Sequence, residues 1–393
     1  MKIVIISLGF GRDDNLGGSV RVASTNAIAL AKLGHDVSYI CTNRIDKKNK
    51  LYPKFYKETI DGVEVYFLNT FIFSWWPGDF GPHFSFIPEI VRRVIYDSDI
   101  VHLNEFRSYL SLSVSFIANA RSIPIVVQPH GTFLNHGNRV VLKNLYNFIF
   151  NLFTSRVSKY FIASTSIEKK VFLDAGLDEQ FIKIIPNGIK IVDTSQIKSG
   201  SFRNKYSINS SDLILLSIGR LDKLKGFQFV IESLVHLPSR IKYFIIGPDQ
   251  QNYVSELNKI LINLKLENRV QFIGPLNNRE ELNEAIFDSD VFIVPSIVEA
   301  FGMVILEASM FSKPIILSEN CNIIEDLPEN VSMNVRLTPN EIASAIQSLI
   351  ADKDLQNKLS NNFYQYSVQN YTIESVAKRI ELFYLYIESK NNA

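Results

Sequence analysis

The sequence predicts an α/β protein made of two doubly wound domains, and three observations carry that prediction. Short β-branched runs alternate with amphipathic helical stretches almost from end to end. This is the pattern of βαβ units that build a parallel sheet with helices on both faces. The pattern halts in the polar stretch 193–212, "DTSQIKSGSFRNKYSINSSD", and then restarts, which marks a domain boundary. A chain of 393 residues is also more than one hydrophobic core usually holds.

In the first half, strands are expected at "KIVIIS", "DVSYIC", "VEVYFL", "DIVHLN", "PIVVQP", "KYFIAS" and "IKIIP". The opening run "MKIVIISLGFGRDD" lacks a small-residue cleavage site and reads as a buried strand, not a signal peptide. The stretch "RVASTNAIALAKLG" (21–34) supplies a helix between the first two strands. In the second half, strands are expected at "LILLSIG", "KYFIIG", "VQFIG", "VFIVPS" and "PIILS", with "GMVILEASMF" as the helix between the last two. In "YTIESVAKRIELFYLYIES", Val376, Ile380, Phe383, Tyr384 and Ile387 recur at helical spacing, so a packed C-terminal helix is expected. The expected domains are 1–192 and 193–370, followed by a final helix in 371–393.

Composition narrows the partners. A net charge of +1 offers no strong field for a polyanion, so no nucleic-acid partner is expected. Cys41 and Cys321 are the only cysteines, too few for a disulfide framework, which suits a reducing cytoplasm. No window supplies the roughly 18 uninterrupted apolar residues of a membrane span. Peripheral contact with a membrane's inner face stays open in the region 138–161, where Arg139, Lys143, Arg156 and Lys159 mix with aromatics.

In open α/β sheets, ligands bind at the carboxyl ends of the strands, and this rule sorts the polar residues. Gly17 and Gly18 lie between the first strand and the first helix, where glycine lets backbone approach a ligand. His130, followed by Gly131 and Thr132, ends "PIVVQP"; it can face a ligand or cap its own loop. His102 ends "DIVHLN" with the same two readings. Thr165 and Glu168 read as a capping box that starts a helix. Arg220 ends "LILLSIG" and Lys225 follows shortly, two cations able to hold a diphosphate.

The stretch "VPSIVEAFGMVILEAS" (294–309) then puts two carboxylates in one place. Glu299 falls in the loop after the strand, and Glu307 about a turn and a half into the helix. The backbone amides of Gly302, Met303 and Val304 open that helix, a place for an anion. Carboxylates repel phosphate but bind hydroxyls, so the ligand suggested is a diphosphate carrying sugars on both sides, a nucleotide sugar. Two D-x-D triplets, Asp97-Ser98-Asp99 and Asp288-Ser289-Asp290, suggest a metal site. Each precedes its strand and is therefore expected at the amino end, terminating a helix, so no metal or other cofactor is expected.

These pieces resemble the retaining GT-B glycosyltransferases of family 4. The resemblance rests on "GGSVRVASTNAIALAKLGHDV", "PHGTF", "IPNGI", "SIGRLDKLKG", "FIGPL" and "DVFIVPSIVEAFGMVILEAS" with its E-x7-E spacing, in order from residue 17 to 318. It implies two facing Rossmann-like domains with a cleft between them. It also implies that Arg220 and Lys225 neutralise the donor diphosphate and Glu307 holds the ribose. Glu299 would then sit at the transferred sugar, with backbone contacts from Gly302 to Val304. His130 would lie by the sugar, and Gly17 and Gly18 near the phosphates. Ala300 stands where many members carry Gly or Pro.

The implied activity is retaining, metal-independent hexosyl transfer from a nucleotide-diphosphate sugar to a saccharide or lipid-linked saccharide, in surface polysaccharide or glycoconjugate assembly. Retention without a nucleophile implies front-face attack, with the leaving diphosphate taking the acceptor's proton. The acceptor is expected on the N-terminal domain, where the aromatic stretch "FIFSWWPGDFGPHFSF" (71–86) can stack on a saccharide or simply bury itself. A sugar-nucleotide 2-epimerase or a non-catalytic carbohydrate-binding protein of the same architecture are the competing readings.

Overall fold

The computed structural model describes residues 1–11, 18–43, 51–52, 54–72, 83–133, 146–147, 149–150, 159–276 and 278–391. The chain divides into two units, one of Met1–Gly188 with Ile373–Ala393, the other of Ile189–Thr372. The polar stretch 193–212 lies inside the second unit, where Phe202 is buried.

The strands of the first unit are β1 (Lys2–Ile6), β2 (Asp36–Thr42), β3 (Tyr56–Ile60), β4 (Val63–Leu68), β5 (Thr70–Ile72), β6 (His83–Ser85), β7 (Ile100–Leu103), β8 (Ile125–Val127), β9 (Lys159–Ala163) and β10 (Ile182–Ile184). Eight of them form one sheet in the order β10-β9-β8-β7-β1-β2-β4-β3, parallel except for β3 against β4. Alternation along each strand sends side chains to two cores. In β1, Val4 and Ile6 enter one core with the helices Glu89–Tyr96 and Tyr109–Ala120. Ile3 and Ile5 enter the other, which is closed by the helices Gly18–Lys32 and Ile373–Asn391. The C-terminal helix contributes Val376, Ile380, Phe383, Tyr384 and Ile387 to that second core, the five residues its spacing singled out.

The second unit holds β11 (Leu213–Ile218), β12 (Ile241–Ile246), β13 (Val270–Gly274), β14 (Val291–Val294), β15 (Ile315–Ser318) and β16 (Met333–Val335). They form a parallel sheet in the order β13-β12-β11-β14-β15-β16. Again one strand feeds two cores: Leu215 of β11 packs on one face, Ile214 and Leu216 on the other. Both units are therefore Rossmann-like.

In each sheet the strand order reverses once beside the first strand, between β1 and β7 and between β11 and β14. The carboxyl ends flanking such a switch point are where open α/β sheets place ligands.

The sequence reading missed four strands. β3 is polar and largely exposed, an edge joined to β4 through an Asp61-Gly62 hairpin turn. β5, β6 and β16 have three residues each. Lys159, weighed also for membrane-surface contact, opens β9, the strand expected at "KYFIAS", and is half-buried. Arg139, Lys143, Arg156 and most of the aromatic stretch 71–86 lie outside the described residues. Among the described residues, no helix is long and apolar enough to cross a membrane.

Candidate active site

The switch point of the second unit brings together the loop after β11 and the loop after β14. Arg220 opens the first loop with its side chain exposed and its guanidinium 3.7 Å from Asp222. Asp222 caps a short 3₁₀ turn, Lys223–Lys225, by accepting from the Leu224 amide at 2.9 Å. That turn ends at Gly226 with φ +67, and a Cβ there would stand 1.9 Å from the Pro295 carbonyl oxygen. Only glycine lets the Lys225 loop press against the end of β14.

This approach puts Lys225 Nζ 2.6 Å from Glu299 Oε2, a partly buried ion pair. The Ser296 hydroxyl donates to the same oxygen at 3.2 Å. The Glu299 backbone is tied in turn to the loop after β15, since its carbonyl accepts from Asn322 N at 3.0 Å. Glu299 is therefore held from three strand-end loops. Cys321, beside it, is buried, and burial with the Glu299 charge pushes its thiol up to about 12. Such a thiol is inert at neutral pH.

Gly302, with φ +80, begins the helix Met303–Ser309, and a Cβ on it would meet the Ile305 side chain at 2.6 Å. Glu307 is 2% exposed, and Arg279 Nη1 lies 3.1 Å from its Oε1. Arg279 opens a different helix, Arg279–Asp288. The sequence reading missed it, because nothing local in "NNREEL" links it to Glu307.

Neither D-x-D triplet is placed to hold a metal at these loops. Asp288 ends the helix Arg279–Asp288, and its carboxylate accepts from Gly200 N at 2.8 Å and Phe202 N at 2.9 Å. Asp290 accepts from Arg203 Nη2 at 2.7 Å and Ile214 N at 2.8 Å, at the amino end of β11. Asp99 accepts from Lys2 N at 2.7 Å and Asp97 caps the helix Glu89–Tyr96. These carboxylates close helix and strand ends.

In the first unit, Gly18 begins the helix Gly18–Lys32 and Gly17 lies outside the described residues. His130 follows β8 with φ +50, a left-handed conformation uncommon for a residue other than glycine. The next residue explains how the turn is held. Gly131 N donates to Glu168 Oε1 at 2.6 Å, while Glu168 Oε2 accepts from Ser164 N at 2.7 Å and from the Ser164 hydroxyl at 2.6 Å. The expected capping box is therefore half formed. Thr165 Oγ1 does accept from Glu168 N, but the Glu168 carboxylate clamps the His130 loop.

His130 Nε2 lies 3.4 Å from Asn104 Oδ1, and its Nδ1 is buried without a partner. Burial pushes the ring down to about 4, so it is neutral at pH 7. Glu105, not singled out from sequence, bridges the switch point of this unit. It accepts from the Ser7 hydroxyl at 2.9 Å and from Leu8 N at 3.0 Å, and burial raises it to about 7.

The two halves match two family models in succession. "Glycosyltransferase Family 4" matches residues 16–192, and "Glycosyl transferases group 1" matches residues 199–366. The chain belongs to the group 1 glycosyltransferases of GT-B fold. N-acetyl-alpha-D-glucosaminyl L-malate synthase of Bacillus anthracis is 25% identical over 389 residues, covering 96% of both chains. A protein of the cps region of Klebsiella pneumoniae is 23% identical over 295 residues, covering 74% of this chain and 78% of that one. Among solved structures, Anabaena HepE in complex with UDP and glucose superposes with a TM-score of 0.72 at 20% identity, over 98% of this chain and 99% of that one. As a glycosyltransferase, the protein acts on a sugar donor.

Proposed function

We propose that this glycosyltransferase moves a hexosyl residue, with retention, from a nucleotide-diphosphate sugar to a saccharide or lipid-linked saccharide in surface polysaccharide or glycoconjugate assembly. The observation that carries the reading is the convergence at the β11–β14 switch point. Two cations, Arg220 and Lys225, stand there with a carboxylate, Glu299, on the facing loop, and a buried carboxylate, Glu307, lies on the helix that follows. A diphosphate needs the cations, and sugar and ribose hydroxyls need the carboxylates.

In this reading Arg220, Lys225 and the backbone at Gly302, Met303 and Val304 meet the charge that grows on the leaving diphosphate. Lys225 exchanges its Glu299 partner for phosphate, which frees Glu299 for the sugar. Arg279, 3.1 Å from the Glu307 carboxylate, holds it oriented toward the ribose. His130 of the first unit, neutral, contributes at the transferred sugar, while Gly17 and Gly18 approach the phosphates. The acceptor hydroxyl gives its proton to the leaving diphosphate, so the protein supplies position and charge. No metal enters the scheme.

The relatives support the donor and pathway class. HepE is crystallised with UDP and glucose, and the Klebsiella protein is encoded in a cps region. The test is product analysis. Donor with acceptor should give a glycoside whose anomeric proton coupling matches the donor's, and donor alone should not be epimerised. An inverted product, or epimerised donor, would refute the reading.

A further inference from the structure

Two histidines stand on neighbouring strands of the first unit, His102 buried and His130 with its Nδ1 buried, and only one has been given work. His102 lies within β7, next to its last residue, and its Nδ1 lies 2.6 Å from the hydroxyl of Tyr384, a residue of the C-terminal helix. The two rings meet edge to face at 6.0 Å. Burial holds the Tyr384 phenol far above its ordinary range, so it keeps its proton. Burial, reinforced by the nearby His130 ring, pushes His102 down to about 3. At pH 7 both imidazoles are neutral, and each carries one N–H and one lone pair. Which nitrogen holds the proton is fixed by its partners.

With the Tyr384 hydroxyl as the donor to Nδ1, the His102 proton is on Nε2. Nε2 is buried and unpartnered, and so is Oε1 of Gln128, whose side chain lies against the same ring. An N–H and a carbonyl oxygen are complementary, and a rotation of the Gln128 amide joins them. Its NH2 group is then left to donate. His130, two residues further along, offers the matching atom: a buried, unpartnered Nδ1. Its other nitrogen faces an oxygen, Asn104 Oδ1, which can only accept. In this direction the row runs unbroken from the Tyr384 hydroxyl to His130 Nδ1 and leaves the His130 proton on Nε2, facing Asn104 Oδ1.

We propose that Tyr384, His102 and Gln128 form a directional row of hydrogen bonds that fixes His130 as the Nε2-protonated tautomer. The C-terminal helix thereby becomes a positioning element for turnover. The row aims the His130 N–H outward as a donor to a substrate hydroxyl or ring oxygen. This rests on the reading of His130 as a residue of the reaction centre, and the experiment separates the two.

The full-length protein is labelled with ¹⁵N-histidine, and the His130 ring signals are assigned by their loss in His130→Ala. The wild type should show His130 protonated at Nε2 and not at Nδ1. Tyr384→Phe, which keeps the ring and removes one hydroxyl, and His102→Leu should give mixed His130 tautomers. Each should also lower kcat about tenfold while nucleoside diphosphate affinity changes less than about twofold. His102→Gln, whose amide can both accept from Tyr384 and donate to Gln128, should restore tautomer and turnover. An unchanged His130 tautomer in folded Tyr384→Phe and His102→Leu would overturn the row. If the tautomer shifts but His130→Ala turns over normally, the row stands and the role of His130 in the reaction falls.

Discussion

Lys225 Nζ and Glu299 Oε2 lie 2.6 Å apart, joining the two strand-end loops at the point where the second sheet reverses its order. In the sequence they had separate duties, one for phosphate and one for sugar. In the structure each is the other's partner, with Ser296 as a second donor to the carboxylate. In the proposed mechanism a donor that recruits both must separate them.

This makes the two residues energetically coupled. Lys225→Ala and Glu299→Gln should each reduce kcat by about 10²–10³, the range for losing one electrostatic contact to the transition state. The double variant should lose much less than the product, because each single change also strands its partner. Arg220→Ala, whose guanidinium stands 3.7 Å from Asp222, should instead multiply with Lys225→Ala. Steady-state kinetics on the three single and two double variants read this directly. Independent, multiplicative effects of Lys225 and Glu299 would show that the pair is incidental.

Glu307 and Arg279 should behave as a binding pair. Glu307→Gln and Arg279→Ala should each weaken nucleoside diphosphate binding by about 1.5–3 kcal/mol, the value of a charge-assisted contact, with kcat nearly unchanged. Uniform loss of ground- and transition-state binding has that signature. A fall in kcat at constant affinity would move Glu307 from the ribose to the chemistry.

The D-x-D carboxylates should matter for folding and not for turnover. Asp288 accepts from the amides of Gly200 and Phe202, so Asp288→Asn should cost about 1–2 kcal/mol, as for a lost helix cap, and lower the melting temperature. Its kcat should match the wild type, and activity should survive EDTA. Metal-reversible loss of activity in EDTA would contradict this.

Acid should destabilise the first unit through two of its histidines, His102 and His130. Both have folded pKa values below their ordinary 6.5, at about 3 for His102 and about 4 for His130. Their contribution is complete above pH 6.5 and is lost as pH falls toward those values, since the unfolded chain binds protons first. Glu105, raised from 4.5 to about 7, works the other way, contributing fully below pH 4.5 and losing its contribution as pH rises to 7. Two groups against one leave a net fall in stability from pH 6.5 to 4. Urea midpoints measured across that range should show it, and His102→Gln should flatten the slope. Equal slopes in the two proteins would rule His102 out as a contributor.

What could be read from the sequence followed burial. Runs such as "LILLSIG" and "VFIVPS" are apolar because they lie between two helical layers, and all twelve strands expected from such runs are present. β3 escaped because an exposed edge strand carries Tyr56, Lys57 and Glu58 in place of an apolar run; the Asp61-Gly62 pair was the signal that marks it. In the site, Arg220, Lys225, Glu299 and Glu307 were legible because a strand end locates them. Arg279 and Glu105 were not, since their meaning comes from partners brought near by folding: Glu307 for one, Ser7 and Leu8 for the other. The Glu168 clamp on Gly131 was hidden behind a local motif that explains the same residue adequately.

The central claim is that the β11–β14 switch point binds the diphosphate of a nucleotide sugar. Isothermal titration of the full-length protein with a panel of nucleoside-diphosphate sugars tests it most directly. At least one donor should bind in metal-free buffer, and Arg220→Ala, Lys225→Ala and Glu307→Gln should each weaken that same donor at least tenfold. A donor that binds all three variants as tightly as the wild type, or no binding across the panel, would contradict it.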